Sequence, residues 1–271
     1  GTLTTNALSA GQLTVDGTGT DDIFNFNGQV TSSNTSILIN QANNVNFGAD
    51  SDVLAATSLT ISNVNTEVQL GDNVDFTATS GTVDVNDTVT LIDLAGTAAH
   101  IITAGANIEL AAVTDSANVV ELELNADDDI TLDTITLAGN LATALLDIDV
   151  DEDTGGGTLT TNALSAGQLT VDGTGTDDIF NFNGIVTSSN TSILINQANN
   201  VNFGADSDVL AATSLTISNV NTEVQLGTNV DLTATSGTVD VNDSVTLIDL
   251  SGTGTNLITA GTDIELAAVT D

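Results

Sequence analysis

The chain has 271 residues, of which 37 are acidic, one is histidine and none is lysine or arginine, giving a formal charge of −37. Without guanidinium or ammonium side chains there is nothing to hold phosphate, so nucleic acid and anionic lipid surfaces are excluded as partners. Cysteine and proline are also absent, which excludes disulfide staples, thiolate metal sites and polyproline linkers.

High charge with few aromatic residues is a signature of disorder. Here 40% of residues are hydrophobic, and Ile, Val and Leu alternate with polar residues, which is enough apolar surface to build a core. The chain offers no site to trypsin, a property suited to exposure to extracellular proteases. It has no apolar run of membrane-spanning length, and Gly1 does not open a signal peptide. The expectation is a stretch from inside a secreted precursor, working outside the cell or on its surface.

In chain order, the dominant feature is a repeat. Gly1–Asp115 returns as Gly157–Asp271 with only about a tenth of the positions changed. The expected organisation is one tandem unit over 1–156, with 116–156 as an acidic joining segment, and a second, incomplete unit over 157–271.

Within the unit, apolar–polar–apolar triplets recur: Leu13-Thr14-Val15, Ile37-Leu38-Ile39, Leu59-Thr60-Ile61, Val83-Asp84-Val85, Ile108-Glu109-Leu110 and Ile130-Thr131-Leu132. This period of two marks strands with one buried face. A second series follows each triplet: Phe24/Phe26, Val45/Phe47, Val68/Leu70, Val89/Leu91, Leu122/Leu124 and Ile135/Leu137. Turn formers such as Asp16-Gly17, Gly48-Ala49-Asp50, Gly71-Asp72-Asn73 and Ser80-Gly81 lie between the two series. Two or three short strands in each turn of a little over twenty residues predict an all-β fold, a parallel β-solenoid (β-helix). A unit of about seven turns would advance roughly 33 Å along the axis. A string of β-sandwich domains is the competing all-β reading. It fits less well, because sandwiches of this size carry longer strands and an aromatic core residue, whereas this chain has seven Phe and no Trp or Tyr.

Asn is frequent at the turns (Asn43, Asn44, Asn63, Asn65, Asn73 and Asn86). Stacked turns would let these amides form ladders, and Asn also tolerates left-handed turn conformations. The joining segment contains Asp127-Asp128-Asp129 and the run Asp147 to Asp153, and it ends in Gly155-Gly156-Gly157. Leu141–Leu146, with Ala142 and Ala144, reads as a short helix. His100 becomes Asn256 in the second copy, beside Ala98 and Ala99 changed to Gly254 and Thr255, which reads as a variable loop tip.

The turn length and the Thr/Asn/Gly/Val texture of stretches such as SLTISNVNTEVQLGDNVDFTATSGTVDVNDTVTLID resemble filamentous-haemagglutinin-like and autotransporter-type surface adhesins. That resemblance implies export, a parallel β-helix stalk, and adhesion or cell–cell contact. The complete lack of Lys and Arg departs from those stalks. Asp16-Gly17-Thr18-Gly19-Thr20-Asp21-Asp22-Ile23-Phe24 resembles one calcium nonapeptide, and it recurs from Asp172 through Asp177 and Asp178 to Phe180. In that family, Asp and turn carbonyls of successive repeats hold Ca²⁺ between them. Asp50 and Asp52, with Asp206 and Asp208 in the second copy, follow about one turn later and would supply a neighbouring set. At the join, Asp149, Asp151 and Asp153 open like an EF-hand loop without its sixth-position Gly. A junction Ca²⁺ is the expectation there, because so many carboxylates repel one another unless cations intervene.

With no Lys, Arg, Cys or Tyr, Schiff-base, thiol and Arg-assisted chemistry is impossible. Paired Asp residues are the remaining hydrolytic option, but end-to-end copying of an entire domain suits a structural part better than an enzyme. The expected role is a non-enzymatic stalk, filament or sheath on a prokaryotic cell surface. Its expected partners are copies of itself, end to end and side by side, and cell-surface glycans. An adhesin that binds glycans or a partner cell through its flank, or through a tip domain outside this stretch, is the alternative. An ice-binding array fits poorly, since the outward row Thr14, Leu38, Thr60, Asp84 and Glu109 is not a uniform Thr lattice.

Overall fold

A computed structural model describes residues 1–271 except 20, 95, 117, 138–143, 152–154, 175–176 and 249–253. The described residues form a parallel β-solenoid of about 11 turns, with no helix among them. All strand pairings are parallel and link strands roughly one turn apart in sequence.

Each turn has three faces. On the first, Leu13, Ile37, Leu59, Val83, Ile108 and Ile130 stack in register. The second carries Leu3, Phe24, Val45, Val68, Val89, Val113 and Ile135. The third carries Leu8, Val30, Val53, Phe76, Ile102, Leu124 and Ile148. The first face is the triplet series read from the sequence, and most of the second series lies on the second face. Leu122/Leu124 is the exception and belongs to the third.

Alternation explains the core. In Ile37–Phe47, Ile37, Ile39, Val45 and Phe47 point inward and are essentially fully buried, while Leu38, Asn44 and Asn46 alternate between them. This strand and Leu59–Leu70 each continue from the first face onto the second. The bend is made at a single residue with positive φ, Gln41 (54°) or Asn63 (56°). Non-glycine residues rarely adopt this conformation, and short polar side chains tolerate it best. Both readings of the turn asparagines hold at Asn63: it takes the left-handed conformation, and its Nδ2 donates to Asn40 Oδ1 one turn below at 2.7 Å. Asn46 donates likewise to Asn25 at 2.8 Å and Asn202 to Asn181 at 2.9 Å.

The interior is aliphatic with a short aromatic stack. Phe26 and Phe47 are parallel-stacked at 5.2 Å, and Phe76 meets Phe47 edge-on at 5.1 Å. In the second copy Phe182 stacks on Phe203 at 5.2 Å, and Leu232 replaces the third ring. Offset and edge-to-face pairs add about 0.5–1.5 kcal/mol beyond the area they bury.

Two sequence expectations are corrected. Leu145–Val150 is a third-face strand that pairs with Glu121–Ala126 below and Gln168–Gly173 above, so the helix expected over Leu141–Leu146 does not form there; residues 141–143 lie outside the described residues. The alternation Leu146, Ile148, Val150 inward against Asp147 and Asp149 outward outweighs the helix propensity of the preceding Leu/Ala run. His100 is not at a loop tip. It sits fully buried in the strand Ala99–Ala104, with Nδ1 3.2 Å from the carbonyl of Val74.

Candidate metal centre

One corner gathers carboxylates from the two acidic motifs that the sequence shows separately. Leu145–Val150 is the third-face strand of its turn, and Asp151 follows it in the left-handed conformation (φ 61°). The strand Ile179–Phe182 begins on the first face one turn higher, with Asp177 and Asp178 just before it. One carboxylate oxygen each of Asp151, Asp177 and Asp178 lies within 4.8 Å of the others. Asp151 and Asp178 are fully buried and Asp177 is exposed.

The backbone shapes this corner around the carboxylates. Asp151 accepts N–H bonds from Gly155 at 3.3 Å and Gly156 at 2.6 Å, and Asp178 accepts one from Gly157 at 2.9 Å. The Thr174 hydroxyl donates to the Asp151 carbonyl. Gly173 is required by close approach: a Cβ there would stand 2.3 Å from Asp178 Oδ2 and 2.3 Å from the Gln197 carbonyl.

The donor set is all oxygen, with two carboxylates out of solvent and no Lys or Arg anywhere in the chain to balance them. Hard cations take such ligands, and Ca²⁺ accepts six to eight oxygens in adaptable geometry, with carbonyls and water completing a partial carboxylate set. Three carboxylates at one corner therefore suit Ca²⁺ better than Zn²⁺ or Cu²⁺, which favour nitrogen or sulfur ligands.

The other expected ligands are placed as follows. In the first copy Asp22 accepts N–H bonds from Thr18 at 2.8 Å and Gly19 at 3.2 Å. Asp21 stands beside it, the counterpart of Asp177. Asp16 takes the amide of Asn40, and Asp172 takes the amides of Asn196 and Gln197. Asp50 and Asp52 lie at the corner between the second and third faces, away from the Asp16–Asp22 loop, which joins the first face to the second. They ladder with the turn above instead: Asp52 accepts the Asp75 N–H at 3.2 Å, and in the second copy Asp208 accepts that of Asp231 at 2.9 Å. Asp206 takes the amide of Asn229 at 3.2 Å, as Asp50 does that of Asn73. Asp149 is on the third face, in register with Asp172. Asp153 lies outside the described residues.

A second acidic feature was not singled out in the sequence. Glu121, Glu123 and Asp147 crowd the third face, where Glu123 and Asp147 are register neighbours. Burial, then the charges of Glu123 and Asp147, raises the Glu121 carboxyl; burial, then Glu123 and Asp172, raises that of Asp147. The signal was present as Glu-Leu-Glu-Leu followed by Leu-Asp-Ile-Asp, two alternating strands 24 residues apart.

No protein-family model, curated protein or solved structure matches the chain.

Proposed function

We propose that this chain is a structural repeat of a secreted prokaryotic surface protein, a non-enzymatic solenoid segment of a stalk, filament or sheath. Units stack end to end, and Ca²⁺ at the acidic corners neutralises and firms the stack. One observation carries the reading: the second copy continues the first with no break in the strand ladders. Ile130 of the joining segment pairs with Leu159, Ile135 with Leu164 and Ile148 with Val171, and Leu159 is fully buried between Ile130 and Phe180. Repeat arrays gain stability mainly from such neighbour interfaces.

The test is electron microscopy of the purified chain with Ca²⁺, with Mg²⁺ and with chelator at one ionic strength. Rods one solenoid wide, lengthening in steps of roughly 50 Å for eleven rungs, are expected with Ca²⁺. Single particles at every concentration, or shapeless aggregates, would sink the filament reading.

A second reading, an adhesin that binds glycan on its flank, is favoured by a groove of about 280 Å³ lined by Asn86, Glu109, Thr131, Asp133, Thr160 and Asn162. These are hydrogen-bonding groups suited to sugar hydroxyls. Retention of a neutral oligosaccharide that is lost in Glu109→Gln and Asp133→Asn variants would support it.

A further inference from the structure

The period in sequence and the period around the axis do not coincide. Leu3 lies on the second face, below Phe24 and Val45. Its equivalent, Leu159, pairs with Ile130 and therefore stands on the first face, below Phe180 and Val201. Ile37 is on the first face, whereas its equivalent Ile193 continues the third through Leu169. The same shift applies along the described residues of the second copy. The outward row Thr14, Leu38, Thr60, Asp84 and Glu109 runs up the first face. Thr170, Leu194, Thr216, Asp240 and Glu265 run up the third.

The cause is a count of strands. From Leu3 to Leu159 the described residues cross twenty faces at three to a turn, which is six and two-thirds turns. The joining segment contributes four of these, at Leu124, Ile130, Ile135 and Ile148. One further strand there would have made seven whole turns and left every unit facing the same way.

We infer that each unit is turned by one third of a revolution about the axis relative to the unit before it, so that an array of units is a three-fold screw. The inference rests on the filament reading for its array, but the rotation itself does not. At ~4.8 Å per rung, one unit advances about 32 Å, and the surface repeats on a given flank only every third unit, about 96 Å. The Gly/Asp loop illustrates the result: as Asp16–Asp22 it joins the first face to the second, and as Asp172–Asp178 it joins the third to the first. A third unit would place it on the remaining edge.

The chain has no cysteine, so engineered pairs report the rotation without background. Thr131 and Thr160 are register neighbours on adjacent strands of the first face, at a spacing of about 4.8 Å that suits a disulfide. Under mild oxidation Thr131→Cys/Thr160→Cys should close, and Thr136→Cys/Thr160→Cys, the pair that seven whole turns would align, should stay open. The reverse pattern, or closure of neither, overturns the rotation. Chains of six units joined end to end then test the screw by electron microscopy, with off-meridional layer lines expected at about 96 Å; layer lines at about 32 Å alone overturn it. If the first pair closes but the joined units form no rods, the filament reading fails and the one-third turn stands.

Discussion

Asp151 and Asp178 bring carboxylate oxygens within 4.8 Å of each other at one corner, and neither residue is exposed to solvent. They come from different turns, and exposed Asp177 completes the group. Two buried carboxylates at this separation repel strongly unless a cation or proton stands between them. Asp177 is the informative position, because Asp151 and Asp178 also accept backbone N–H bonds and their loss would unsettle the loop by itself. With Ca²⁺ a hundredfold above its dissociation constant, unfolding should cost about 2.7 kcal/mol more than in chelator. Asp177→Asn should unfold at nearly the same temperature as the parent in chelator and lose most of the Ca²⁺ shift. An equal shift in parent and variant, or the same shift with matched Mg²⁺, would contradict the site.

The crowded third face predicts a stability that depends on acid. Glu121 and Asp147 have folded carboxyl pKa values above their ordinary ones, first through burial and then through neighbouring charge, and Glu123 is among the neighbours of both. A carboxyl whose pKa is raised on folding destabilises the fold fully above the folded pKa. That penalty disappears as the pH falls through the folded value towards the unfolded one, about 4. Glu123→Gln keeps the acceptor that Asn125 Nδ2 uses at 2.7 Å but removes the charge. It should raise stability at pH 7 by about 0.5 kcal/mol, discounted for solvent screening, and the gain should vanish below about pH 4. Urea unfolding at both pH values measures it. A gain that is unchanged at low pH would point to packing and not to charge.

Legibility from sequence followed strand length and alternation. The first face was plain because Leu13-Thr14-Val15 and its successors alternate with bulky aliphatic residues. The third face was largely hidden. Val30–Ser32 and Val53–Ala55 are three residues long and place Ser32 and Ala55 inside, too short and too small to stand out from turn sequence. His100 was misread because exchange with Asn256 looked like surface drift. Both side chains in fact bond to the backbone of the turn below, His100 to the Val74 carbonyl and Asn256 to the Val230 N–H at 2.8 Å. The acidic corner was read as two sites, because its union depends on which face follows the join. That depends on the number of strands in 116–156, where the Leu/Ala run obscured one of them.

The buried histidine gives the opposite pH dependence from the acidic face. Burial lowers the His100 pKa, outweighing the bond to Val74 and the charges of Asp93 and Asp72, and Nε2 has no partner among the described residues. A histidine whose folded pKa lies below its unfolded value, near 6.5, contributes no penalty above that value. As the pH falls below about 6.5, the unfolded chain takes up a proton that the folded chain resists, and stability drops by up to about 1.4 kcal/mol per pH unit until the folded pKa is passed. The two effects have opposite sign as the pH falls: the histidine window opens downward from about 6.5, whereas the carboxylate penalty is gone by about 4. His100→Asn installs the residue of the second copy and removes the titrating group. Thermal unfolding between pH 7.5 and 5 should show a loss in the parent that is absent in the variant, with the two curves converging at the alkaline end. Parallel curves across the whole range would mean that His100 is not held neutral in the folded core.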